Sequence, residues 1–194
     1  YSSIRLAERL EVAKRDAEAV ELWQDVQGNP DRYTFGGDAP RALALGRIRA
    51  AIKRSGRSVY STQDAAADNL IDEKSPDAWR RVLRLYPLSM AADTAALELA
   101  ESRRANWAPN EGAEILRTAL DENPERKRGP ELQALLALCY KDAGERLRAR
   151  LLALRVLREY PNGELNVNGR TTPFRDFLKQ MTEGAADEAS TQAL

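Results

Sequence analysis

Histidine is absent from the 194-residue chain. With it go the commonest general base, the commonest metal ligand and the one side chain that titrates unperturbed near neutrality. A single cysteine, Cys139, excludes an intrachain disulfide. No apolar run approaches the roughly 18 residues of a membrane span. There is no glycine-rich phosphate loop, no nucleophile elbow and no metal-ligand spacing, so neither catalysis, a cofactor nor a metal is expected. Net charge is lacking too: thirty basic residues meet thirty acidic ones, which removes the global field that favours nucleic acid or a membrane surface. No signal peptide is visible. The chain opens at Tyr1 instead of Met and reads as a piece of a longer protein.

Aromatic residues make up only 6% and β-branched residues are scarce, while alanine and leucine dominate an apolar content of 43%. That balance favours helices over sheets. The arrangement is repetitive. Arg81-Val82-Leu83-Arg84-Leu85-Tyr86-Pro87 returns as Arg155-Val156-Leu157-Arg158-Glu159-Tyr160-Pro161, 74 positions on, and half that distance links Pro87, Pro124 and Pro161. The same step of 37 joins Trp79 to Leu116 and Ala153, and Val82 to Ala119 and Val156. It also carries Leu99-Ala100 onto Leu136-Ala137.

Each period predicts two helices. In the last, Leu132, Leu135, Leu136, Cys139 and Tyr140 form an amphipathic stripe. Gly144 supplies a helix stop. A second helix then carries Ala149, Leu152, Ala153, Val156 and Leu157, and Pro161 ends it. A turn this short makes the two helices antiparallel, and Ala137 and Ala149 are small where their backbones would meet.

These residues resemble the tetratricopeptide (TPR) motif. Leu136, Ala137, Tyr140, Gly144, Ala149, Ala153, Val156 and Pro161 fall at the family's spacing, with Ala153 small for its large slot. The preceding period offers Leu99, Ala100, Gly112, Leu116, Ala119 and Pro124. The N-terminus offers Leu6, Ala7, Leu10, Ala19, Trp23, Val26 and, one residue early, Pro30. The period closing at Pro87 matches only in its second half. The resemblance implies an all-α, right-handed solenoid of antiparallel helix pairs.

Along residues 1–183, pairs are expected at about 3–27, 88–122 and 130–160. Between 39 and 86 one extra helix interrupts the array, because Pro30 to Pro87 is 57 residues, that is 37 plus 20. There, Asp38 is the expected N-cap of a helix that has Pro40 in its first turn and Gly56 past its end, after a loop containing Gly36 and Gly37. Ser61 and Asp64 have capping-box spacing, and Ser75-Pro76 opens a helix to Tyr86. Residues 162–172 are expected to be irregular. A capping helix over 173–182 follows, with Phe174, Phe177, Leu178 and Met181 on one face, and then a flexible tail over 184–194.

The resemblance further implies a non-catalytic scaffold that binds a protein or peptide in a concave groove lined by the first helices of successive pairs. The implied groove residues are Leu97, Glu101, Arg104, Glu131, Ala134, Leu138 and Lys141. No asparagine lies in these helices, a departure from the members that clamp a C-terminal carboxylate. Trp79, Val82-Leu83 and Tyr86-Pro87-Leu88-Ser89 are similar to TPR proteins of the bacterial envelope, which points to the periplasm or cell envelope over the cytoplasm. A structural module of a larger protein, with no ligand of its own, is the second reading.

An RNA-binding helical repeat is the third. It would draw on two basic stretches, Ala39–Ser61 with six basic residues and no acid, and Arg126–Arg158 with nine basic residues against three acids. The neutral total argues against it, as does the plain alternative of solvated faces balanced by Asp64, Asp68, Asp72 and Glu73. Trp107 lies outside the repeat pattern. Either it folds back over its own helix pair, which is the expectation, or it stands out as a partner anchor.

Overall fold

The computed structural model describes residues 2–33, 40–167 and 169–182, over which the chain forms ten α-helices and one two-stranded antiparallel sheet. Asp38, Gly36, Gly37 and the tail 184–194 lie outside the described residues. The chain divides into two compact units, Tyr1–Ala92 and Asp93–Leu194.

In the first unit, α1 (Ser2–Val12) packs on α2 (Asp16–Gly28) through a tight turn. Arg15 N–H donates to Leu10 O at 2.9 Å and Lys14 N–H to Glu11 O at 3.0 Å, with Lys14 in the left-handed region. This pair of bonds satisfies carbonyls that the end of α1 would otherwise leave open. Three more helices follow: α3 (Pro40–Ser55), α4 (Ser61–Ile71) and α5 (Pro76–Leu85). That is one helix more than a pair, as the 57-residue interval requires. Gly56 ends α3 at φ +85. Ser75 caps α5, its hydroxyl accepting from Ala78 N–H at 3.2 Å, and Pro76 fills the first turn.

The capping box expected at Ser61 and Asp64 does not form. The chain enters α4 from a 3₁₀ turn, Arg57–Tyr60, and is already helical at Ser61. Asp64 accepts instead from Arg57, with a second bond from Met90 N–H at 3.3 Å.

The core of this unit holds Trp23, Ile48 and Tyr60, each fully buried, with Val20 and Leu45. Trp79, expected in the large slot of its helix, is only half-buried. Polar side chains close the end of α5. Gln27 donates to Arg84 O at 2.6 Å, Arg41 donates to the same carbonyl at 2.8 Å, and Gln24 donates to Leu85 O. Those carbonyls have no partner within the helix, so α2 and α3 fix α5 by satisfying them.

The boundary of the second unit falls in the first turn of α6 (Met90–Ala105). Then come α7 (Pro109–Glu122), α8 (Gly129–Asp142), α9 (Arg146–Glu159), the hairpin β1 (Glu164–Val167) and β2 (Arg170–Pro173), and α10 (Phe174–Thr182). The turns after α6 and α8 repeat the bonds of the α1–α2 turn. Ala108 N–H reaches Arg103 O at 2.9 Å, and Glu145 N–H reaches Tyr140 O at 2.8 Å. The left-handed residues are Trp107 at φ +61 and Gly144 at φ +83, 37 positions apart.

Counting back seven residues from Lys14, Trp107 and Gly144 gives Ala7, Ala100 and Ala137, all at 0% exposure. Counting on five gives Ala19, Gly112 and Ala149, all buried. Small, buried residues therefore stand at matching positions in all three hairpins. The prolines also act alike. Before Pro30, Pro87, Pro124 and Pro161, the residues Asn29, Tyr86, Asn123 and Tyr160 leave the helical region at φ −130, −130, −146 and −134. Each donates its N–H to the carbonyl four residues back. A proline ring disfavours helical backbone at the residue before it, which sets these four helix ends.

Residues 162–172, expected to be irregular, contain most of the β-hairpin, with Leu165 opposite Thr172 and Val167 opposite Arg170. The overlooked signal is Asn168-Gly169, a two-residue hairpin sequence between short strands. Gly169 sits at φ +69. Phe174 N–H donates to Gly163 O at 2.8 Å, fixing the hairpin to the start of α10. α10 packs on α9 and α8 with Phe174 and Leu178 buried, as expected of a covering helix.

Candidate functional site

The expected groove residues lie on α6 and α8, and the structure separates them into two groups. Leu97 and Ala134 are fully buried, which corrects their assignment to a binding surface: a side chain with no exposed area offers a partner nothing. Both belong to the alanine- and leucine-rich packing of their helices. Glu101, Arg104, Glu131, Leu138 and Lys141 are half-exposed.

Arg104 links the two helices. Its guanidinium donates twice to Glu101, at 2.7 Å each, and once to Asp142 at 2.8 Å. The Glu101 hydrogen bonds, seconded by Asp142, hold the guanidinium above its ordinary pKa against the opposing effect of burial. The result is a fixed charge cluster beside Leu138 and Lys141 in sequence, with its donor fork already occupied.

Glu131 is bound elsewhere. Arg128 donates to it twice at 2.7 Å, and Glu131 accepts Asn166 N–H from β1 at 3.0 Å. Arg128 also donates to Asn166 O at 2.8 Å. The pair therefore fastens the hairpin to α8. Next to it, Arg126 and Asp93 form a buried ion pair, with guanidinium and carboxylate 0% and 4% exposed. Arg126 Nε donates to Ala119 O at 2.7 Å and Asp93 accepts Arg128 N–H at 3.2 Å.

These bonds change the reading of both basic stretches. In the first, Arg47 reaches Glu11 at 3.1 Å and lies over Trp23 at 5.8 Å. Arg54 binds Asp16, and Arg57 binds Asp64 while lying over Tyr60 at 5.1 Å. The balancing acids thus include Glu8, Glu11 and Asp16 of the first helix pair as well as Asp64 downstream. Tyr60, the aromatic residue of this stretch, is fully buried and offers no face on which a base could stack. In the second stretch Arg126 and Arg128 are structural. Tyr140, expected in the core, is half-exposed.

Trp107 departs most from expectation. It does not fold back: its side chain is 95% exposed at the tip of the α6–α7 turn. It is also a large L-residue in a backbone conformation that favours glycine, three residues beyond Arg104.

Among the described residues no group of three or more Asp, Glu, Cys or His is placed to hold a metal, and no helix is long and apolar enough to cross a membrane. Cys139 is buried, and burial pushes its thiol up to about 12. A thiol so far from ionisation is a poor nucleophile at neutral pH. No family model, curated protein or solved structure matches the chain.

Proposed function

We propose that the chain is a TPR-type array serving as a non-catalytic protein-binding scaffold, with Trp107 as its anchor. The edge formed by Arg104, Leu138 and Lys141 is the adjoining contact surface. The repeated turn bonds and the small residues at matching positions of three hairpins support the TPR reading.

One observation carries the functional reading. A tryptophan 95% exposed occupies the left-handed position that glycine fills 37 residues later. Such a residue costs the fold about 1–2 kcal/mol in backbone strain, and an indole in solvent returns nothing to the core. Binding is where it returns something, because tryptophan is the side chain most enriched among interface hot spots.

Panning a random-peptide library against the wild-type protein, with Trp107→Ala as the counter-target, tests this. Recovered peptides should bind the wild type and lose most of their affinity for the variant, while the two proteins melt alike. Peptides that bind both equally, or a library that yields none, would remove the reading.

A further inference from the structure

We infer that the outward face of α9 is a second docking surface, shaped for an acidic, heptad-patterned helix of a protein partner. Leu147, Leu151 and Leu154 are 71%, 60% and 45% exposed, on the side of α9 opposite buried Ala149, Ala153 and Val156. Their alternating four- and three-residue spacing is the a/d seam of a coiled coil. The residues at the flanking e and g positions are Arg148, Arg155 and Arg150, all exposed. No acid occurs from Arg146 to Arg158. Among the described residues, neither Arg150 nor Arg155 has an ion-pair partner, and Arg148 pairs only within its own turn, with Glu145 at 2.6 Å.

Charge decides the occupant. A second copy would bring its own arginines to the same seam, and like charges across e and g positions repel. A lipid surface asks for a broad apolar face with aromatic side chains. This seam is one leucine wide, with arginine on both sides. A helix with leucines at a and d and glutamates at e and g satisfies both the ridge and its flanks. The seam spans only about two turns, so the complex belongs with weak, transient interfaces.

A synthetic helix of about three heptads, with leucine at a and d and glutamate at e and g, is the probe, and its lysine counterpart is the control. Nuclear magnetic resonance titration of the isotope-labelled protein detects weak binding directly. The glutamate peptide should give saturable shifts at α9 amides, and the lysine peptide none. Leu151→Glu should abolish the shifts without altering the thermal melt. Arg150→Glu with Arg155→Glu should reverse the preference between the peptides by about tenfold or more.

Shifts away from α9, unchanged binding in Leu151→Glu, or a preference that ignores the charge swap would each overturn the inference. So would α9-dependent binding to phosphatidylglycerol vesicles without peptide binding, which would assign the face to lipid. Trp107→Ala should leave the peptide titration unchanged, separating this surface from the one proposed above.

Discussion

Gly112 and Ala100 meet backbone to backbone: a Cβ added at Gly112 would lie 2.9 Å from Ala100 O and 3.1 Å from Cys139 Sγ. The first contact is with backbone and cannot turn aside. Gly112→Ala is therefore expected to destabilise, although alanine is the better helix former. Overpacking costs about 1–3 kcal/mol and helix propensity returns about 1. Ala149 holds the same slot one period on and is 1% exposed, so Ala149→Leu should cost about 1–3 kcal/mol. Urea denaturation measures both. A Gly112→Ala protein more stable than wild type would mean that the hairpin opens there without penalty.

The small-residue contacts were legible because they recur. Ala100, Gly112, Ala137 and Ala149 stand at a fixed step, and only packing demands such a step from side chains that carry no chemistry. The turns were half legible. Gly144 announces its left-handed backbone, but Lys14, Lys74 and Trp107 adopt the same region with nothing in their residue type to signal it. Burial at the groove was not legible. A repeat motif says which helix face points inward, but not that Leu97 and Ala134 are wholly covered while Glu101 and Arg104 are not. Long-range ion pairs such as Asp93–Arg126, 33 positions apart, leave no periodic trace. That is why arginines that fasten the fold read as a free basic stretch.

Trp107→Gly should stabilise the protein. Relief of the left-handed backbone contributes about 1–2 kcal/mol, and the greater freedom of glycine in the unfolded chain takes back about 0.5–1. The side chain is 95% exposed, so little packing is lost. A net gain of this size raises the melting temperature by roughly 2–4 °C per kcal/mol. A lower melting temperature would show that the indole supports the fold, and would weaken its reading as a binding anchor.

Arg126→Met isolates a buried charge. Asp93 would keep the Arg128 N–H at 3.2 Å but lose the guanidinium that neutralises it. Breaking one side of such a pair costs about 3–5 kcal/mol, much of it the penalty on the group left behind. Adding Asp93→Asn should recover part of the loss, since a neutral amide is less expensive to bury than a carboxylate. Chemical denaturation of the single and double variants gives the comparison. Equal stability of Arg126→Met and wild type would show that Asp93 finds water when the arginine is removed.

Cys139 makes the second unit sensitive to alkali. Burial raises its thiol from 9.0 to about 12, with Glu101 and Asp142 adding to the shift and Arg104 opposing it. Below pH 9 both folded and unfolded chains hold the proton, and the contribution to stability is complete. As pH rises from 9 toward 12 the unfolded chain releases the proton and the folded chain does not, so stability falls through this window. Cys139→Ala removes the titration and should show a flatter stability profile over the same range, despite a lower stability at pH 7 from the lost sulfur contacts. Iodoacetamide gives the kinetic counterpart. At pH 8 the native thiol should resist alkylation, and urea should release it with the unfolding transition. Alkylation of the native protein at the rate of a free thiol would mean that the α7–α8 contact around Cys139 opens without unfolding, and the close packing at Gly112 would fail with it.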